Sequence, residues 1–139
     1  MIGLDTNVLA RYYLAGQDTD AASARQQQAA LRLLEGGEPV FVAKTVLLEL
    51  EWVMRGAYAL SPKQFTAVLD HLLALPQVTL EDRLSVEAAL ASHRTGLDFA
   101  DALHHASCRN CATMASFDDR KFARRAAKLG LVPVVVVPR

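Results

Sequence analysis

The 139 residues carry fifteen Lys and Arg against fifteen Asp and Glu, and 52% of them are hydrophobic. A chain of this size and apolarity is expected to fold as a single domain, residues 1–139, around one well-filled core; its cancelled charge excludes the overall basic excess of many nucleic-acid binders, so any such contact must use a local patch. No apolar run reaches membrane-spanning length, two cysteines are too few for a disulfide framework, and the opening Met-Ile-Gly-Leu-Asp lacks the basic region and cleavage site of a secretory leader, which together predict a cytoplasmic protein with no membrane partner.

Short apolar runs alternate with longer helical patterns along the whole chain, the signature of an α/β fold with a mostly parallel sheet of about five strands. A strand at 1–4 leads into a helical pattern at 7–14. A second helix runs from about Thr19 to Leu34 and stops at Gly36-Gly37, where glycine supplies a left-handed turn. The next strand, 39–42, precedes a helix with an apolar stripe at 45–58. Ser61-Pro62-Lys63-Gln64 then opens another helix with a cap, a first-turn proline and a Gln at the third position. After a strand at 78–80, helices are expected at 82–94, ending at Gly96, and at 98–110, which begins Asp-x-x-Asp. A strand at 113–115 is followed by a helix at 119–129 that stops at Gly130. The β-branched run 132–137 reads as a last strand buried on both faces.

Acidic residues stand where these buried elements begin or end. Asp5 follows the first strand, Glu49 and Asp101 are expected in the first turns of helices, and Asp118 follows the fourth strand. In open parallel sheets ligands bind beyond the carboxyl ends of the strands. Carboxylates gathered there repel one another with little water to screen them, and a divalent cation relieves that repulsion. Hard oxygen donors favour Mg²⁺, with Mn²⁺ as the alternative, and such a site suits phosphodiester hydrolysis.

The residues that carry this pattern are Met-Ile-Gly-Leu-Asp-Thr-Asn-Val-Leu at the start, Leu-Glu in an early helix, Asp-Phe-Ala-Asp-Ala-Leu, and Ser-Phe-Asp before the last helix. In this order they resemble a PIN-domain ribonuclease of the VapC toxin type. The resemblance covers essentially the whole chain and implies a three-layer α/β/α fold around the parallel sheet. It also implies a metal-dependent endoribonuclease that leaves a 3′-hydroxyl and a 5′-phosphate. Asp5, Glu49, Asp101 and Asp118 take the positions of the family's catalytic and metal-binding acids, with Glu49 acting directly or through water. Thr6, Asn7 and Ser116 would orient those acids or the attacking water by hydrogen bonds. The implied partners are RNA, a second copy of the chain in a homodimer, and a small VapB-like antitoxin that docks a segment in the acidic groove.

Other readings stand beside these. Asp98 is expected to cap the helix that carries Asp101, and Asp119 is an auxiliary to Asp118 or a cap in its place. Glu49 read as a first-turn carboxylate would serve only the helix dipole. Glu51 reads as a solvated helical residue, and Asp5 as an Asx turn. His104, Cys108 and Cys111 fall at helical spacing but lack a fourth zinc ligand, and His105 reads as a helix-surface or partner-contact residue. Arg11, Lys44, Arg120, Lys121, Arg124 and Arg125 are candidate phosphate contacts, against the reading that they are a solvated face. Tyr12, Tyr13, Tyr58 and Trp52 are candidate base-stacking residues, although the stripe containing Trp52 reads as core or subunit interface. Leu47, Leu50, Val53 and Met54 fill the core or a docking surface. A haloacid-dehalogenase-type phosphatase would need a second aspartate where Asn7 stands, and a receiver-like module needs a mid-chain aspartate and a late lysine that are not evident. The remaining alternative is a non-catalytic RNA-binding or scaffold protein with the same fold.

Overall fold

The computed structural model describes residues 1–14 and 20–139. They form two compact units, Met1–Glu81 and Asp82–Arg139, each made of parallel strands and helices.

In the first unit β1 (Ile2–Gly3), β2 (Val40–Val42) and β3 (Val78–Leu80) pair in the order β1-β2-β3, all parallel, with Ile2 opposite Val40 and Val40 opposite Val78. Parallel neighbours need crossover connections, and here each is a helix pair. The helices α1 (Thr6–Tyr13) and α2 (Ala21–Glu35) join β1 to β2, while α3 (Lys44–Ala57) and α4 (Pro62–Ala74) join β2 to β3. The central strand buries Val40 and Val42 completely. From α3 the buried residues Leu47, Leu50 and Met54 recur at three and four positions, the spacing of one helical face. These three residues are therefore core, while Val53 is only half-buried.

Local chemistry sets the helix starts. Asp5 caps α1, its Oδ1 accepting the Thr6 N–H at 2.8 Å. Asp20 caps α2 by accepting from the Ser23 N–H at 2.8 Å and the Ser23 hydroxyl at 3.0 Å. The predicted start of this helix at Thr19 lies outside the described residues. At α4 the capping box is complete: the Gln64 N–H donates to Ser61 Oγ at 3.2 Å, and the Ser61 N–H donates to Gln64 Oε1 at 2.8 Å. The start of α3 has no side-chain cap of its own. Instead the Lys44 N–H donates to Glu81 Oε1 at 2.8 Å, so a carboxylate at the end of β3 serves it. Gly37, at φ +84°, makes the left-handed turn after α2.

In the second unit α5 (Arg83–Arg94) packs on α6 (Phe99–Ser107), with Val86, Leu90, Phe99 and Leu103 among the buried residues. Then come β4 (Thr113–Ala115), a π-helical turn (Asp119–Ala123), α7 (Arg124–Lys128) and β5 (Val134–Val136). β4 and β5 form a two-stranded parallel sheet, Thr113 opposite Val134.

The structure corrects several expectations. All five strands are present, but hydrogen bonding divides them into sheets of three and two. The last strand is not buried on both faces: Val135 is buried, whereas Val134 and Val136 are exposed. A β-branched run reports strand propensity, and burial then follows whichever face is covered. The expected uninterrupted helix at 119–129 begins as a π-turn, in which the Ala123 N–H reaches back five residues to the Asp118 carbonyl at 3.0 Å. Glu51 is buried and ion-paired with Arg55 at 2.9 Å rather than solvated. His105 is also buried, its Nε2 2.8 Å from the Pro133 carbonyl oxygen and its ring edge-on to Phe122. Trp52 is 68% exposed, which removes it from the core. Among the described residues no helix is long and apolar enough to cross a membrane.

Candidate functional site

The first unit places Asp5 and Glu49 on one cleft. The Leu4 N–H bonds the Phe41 carbonyl at 2.9 Å, which continues the β1–β2 pairing to the residue before Asp5. The chain then turns into α1 with the Asp5 carboxylate exposed. Only its Oδ1 serves the cap. Glu49 projects from the second turn of α3, not the first, so it is not the dipole-capping carboxylate that one reading assigned. Asp5 and Glu49 line a cleft of about 450 Å³ with Thr6, Asn7, Ala10, Arg11, Val53 and Tyr58. Thr6 is 5% exposed, and its Oγ1 has no hydrogen-bond partner. A buried hydroxyl left in that state costs roughly 1–3 kcal/mol, and the oxygen itself is enclosed behind the cleft wall. Arg11 lines the same cleft, with its Nε donating to Gln26 Oε1 at 2.8 Å.

The second unit gathers Asp98, Asp101 and Asp118. Asp98 is the N-cap of α6, its Oδ2 accepting the Asp101 N–H at 3.2 Å, as expected for Asp-x-x-Asp. Asp101, half-buried in the first helical turn, has its pKa held above the ordinary aspartate value, first by burial and then by the Asp98 and Asp118 carboxylates; His104 partly opposes the shift. Asp118 caps the π-turn, with Oδ1 accepting the Lys121 N–H at 2.9 Å, and its own N–H donates to Ser116 Oγ at 3.1 Å. π-helical turns are rare and are frequently found at functional sites. Asp119 is engaged elsewhere: Arg124 Nε and Nη2 both reach its Oδ2, at 3.1 and 2.9 Å. Arg124 is thus an exposed ion-pair partner of Asp119, and Arg125 donates to the Gly96 carbonyl at 3.1 Å. Arg120 and Lys121 are exposed beside Asp118. Lys44 is half-buried at the start of α3.

Residues 2–128 match the PIN-domain family. The chain belongs to that family. Among curated proteins none matches it. The PIN domain is a nuclease-type fold that acts on nucleic acid and typically uses divalent metal ions, and this chain has the helix-rich α/β form with parallel strands. The donors on hand in this PIN domain fit such an ion in kind: all are hard carboxylate oxygens, and Asp5 and Glu49 line one cleft. Among the described residues no group of three or more His, Cys, Asp or Glu is gathered closely enough to hold a metal. The acids are presented as one set in each unit.

One residue escaped the sequence reading. Phe117 is 84% exposed immediately before Asp118. The run Ser-Phe-Asp marked the place, but the phenyl ring there gives no sign in the sequence that it faces solvent.

Proposed function

We propose that this PIN domain is a metal-dependent endoribonuclease, the toxin of a toxin–antitoxin pair of the VapC type. The observation that carries the reading is the crowding of Asp101 by Asp98 and Asp118. Burial first, and then the like charges of Asp98 and Asp118, raise the cost of ionising Asp101, and carboxylates perturbed in this way cluster at functional sites. Asp5 and Glu49 on the cleft, with Asp101 and Asp118, form the proposed acid set. What joins the two units in this reading is the family resemblance of the four motifs.

Asp5, Glu49, Asp101 and Asp118 would hold Mg²⁺, or Mn²⁺ in its place. When bound, such an ion supplies activation of water and neutralisation of charge on the phosphate. The chain's own groups do the rest. Thr6 and Asn7 line the Asp5 end of the cleft, where they would orient Asp5 or the attacking water, and Ser116 fixes the Asp118 backbone through its 3.1 Å bond. One carboxylate of the set accepts a proton from the attacking water, and the leaving 3′ oxygen takes one up, giving a 3′-hydroxyl and a 5′-phosphate. Arg11, Lys44, Arg120, Lys121 and Arg124 contact phosphates of the RNA. Phe117 offers a face on which an unpaired base stacks, the usual way proteins grip single-stranded RNA.

The same reading makes the protein cytoplasmic and a homodimer, held inactive by a small antitoxin. Its competitor is a PIN fold that binds RNA without cutting it, which is favoured by the cap roles of Asp5, Asp98 and Asp118. Each cap uses one carboxylate oxygen, however, and a metal needs only the other. The test is to sequence the RNA ends made by purified protein and to repeat the assay on protein co-purified with the product of the adjacent small open reading frame. Cuts with 5′-phosphate ends that vanish in the complex support the reading. Ends with 2′,3′-cyclic phosphate, or undiminished cutting by the complex, would overturn it.

A further inference from the structure

Between α6 and β4 lie the chain's two cysteines, Cys108 and Cys111, separated by Arg109 and Asn110. The backbone brings them together, because the Cys111 N–H donates to the Cys108 carbonyl at 2.8 Å and closes a four-residue turn. Such a turn keeps its end Cα atoms within about 7 Å, close to the roughly 4.4–6.8 Å that a disulfide spans. The two thiols also lie within hydrogen-bonding reach of each other, and burial followed by the neighbouring thiol raises the Cys108 pKa.

The turn is anchored from its middle. Arg109 donates to Asp82 Oδ1 at 2.9 Å and to Ser85 Oγ, while the Ser85 hydroxyl donates to the Ala106 carbonyl at 3.2 Å. The guanidinium is therefore held by the start of α5. Cys111 is exposed and Cys108 half-buried, so a small oxidant reaches Cys111 first. A thiolate metal centre is a poorer use of the pair, since among the described residues no third Cys, His, Asp or Glu joins them in a metal-binding group.

We propose that Cys108 and Cys111 form a reversible redox site, closing an intrachain disulfide by exchange with a low-molecular-weight disulfide of the glutathione type. The Cys111 thiolate attacks one sulfur of the small disulfide, and the first small thiol leaves with the proton that Cys111 lost. The Cys108 thiolate then attacks the Cys111 sulfur of the mixed disulfide and releases the second small thiol. Two protein thiols are oxidised and one small disulfide is reduced. The bond closes the segment that runs from the helix of Asp101 toward the strand preceding Ser116 and Asp118. The site stands independently of the nuclease reading.

The experiment is intact-mass analysis of the full chain equilibrated anaerobically in buffers of graded oxidised and reduced glutathione, then quenched and alkylated. The expected product is a monomer about 2 Da lighter than the reduced protein, unalkylated at both cysteines and restored by dithiothreitol. Cys108→Ser should instead accumulate one glutathionyl group on Cys111, and Cys111→Ser should react at least about tenfold more slowly than wild type, because the exposed attacking thiol is gone. Wild-type protein alkylated at both cysteines at every ratio, halted at the mixed disulfide, or linked between chains would overturn the proposal.

Discussion

Replacing Asp101 by Asn should make the protein more stable and less useful. The substitution keeps the side chain's size and leaves the Asp101 backbone N–H on Asp98 Oδ2, but it removes the charge that burial, Asp98 and Asp118 all disfavour. Because the folded-state pKa is raised, the folded protein binds more protons than the unfolded chain between the ordinary aspartate value and the raised one. Stability is thus full below the ordinary value and falls as pH rises through the raised value, so the whole penalty is present at pH 7. A like-charged neighbour on a helix costs about 0.2–0.5 kcal/mol, and Asp101 has two; discounted for solvent screening, the gain on removal is about 0.5 kcal/mol. For a chain of this size that corresponds to a Tm higher by about 1–2 °C. Thermal melts in EDTA should show that gain at pH 7 and its loss as the pH falls through the raised value to below the ordinary aspartate value. In excess Mg²⁺ the order should reverse, since a ligand at 100 times its Kd adds about 2.7 kcal/mol to the protein that binds it. An Asn variant less stable than wild type in EDTA at pH 7, or equal stabilisation of both by Mg²⁺, would refute the reasoning.

Three other substitutions separate structural from functional roles. Ser61→Ala removes the hydroxyl that accepts the Gln64 N–H in the capping box at α4, leaves the Ser61 backbone arm in place, and should cost about 1 kcal/mol, read as a lower midpoint in urea unfolding with RNA cutting retained. Ala59 sits at φ +54°, where its Cβ is strained, so Ala59→Gly should stabilise by about 0.5 kcal/mol once the flexibility of glycine in the unfolded chain is subtracted; a lower midpoint would contradict this. Glu49→Gln should leave stability nearly unchanged and reduce cleavage about 10- to 100-fold, whereas Glu51→Gln, which weakens the pair between buried Glu51 and exposed Arg55, should cost about 1 kcal/mol and leave cleavage nearly unchanged; paired melts and single-turnover cleavage read both.

Local signals survived folding best. The Ser61–Gln64 box and the Asp98 cap are contacts within four residues, so the order of residue types nearly dictates them. The strands Val78–Leu80 and Thr113–Ala115 occupy the expected positions for the same reason, being short apolar runs between clear breaks. Facing was harder to read. Glu49 and Glu51 lie two positions apart, about 200° around the helix, and which one points inward depends on what packs against α3. Trp52, Val134 and Val136 have side chains suited to a core, yet their exposure is set by neighbours that no local pattern reveals. The commitment of Arg124 to Asp119 depends on the π-turn, whose extra residue shifts the phase that an unbroken α-helix would have had. Of the candidate site, the acids and their caps were legible. The buried, unpartnered hydroxyl of Thr6 and the solvent-facing ring of Phe117 required coordinates.

The central claim is that these carboxylates cut RNA with a bound metal. It is tested most directly by incubating purified, antitoxin-free protein with total RNA in Mg²⁺, Mn²⁺ or EDTA, alongside Asp5→Asn and Asp101→Asn, and mapping the ends produced. Discrete cuts that require the metal and disappear in both variants are the predicted result. Folded wild-type protein that leaves every RNA intact in Mg²⁺ and Mn²⁺, or variants that cut as well as wild type, would contradict it.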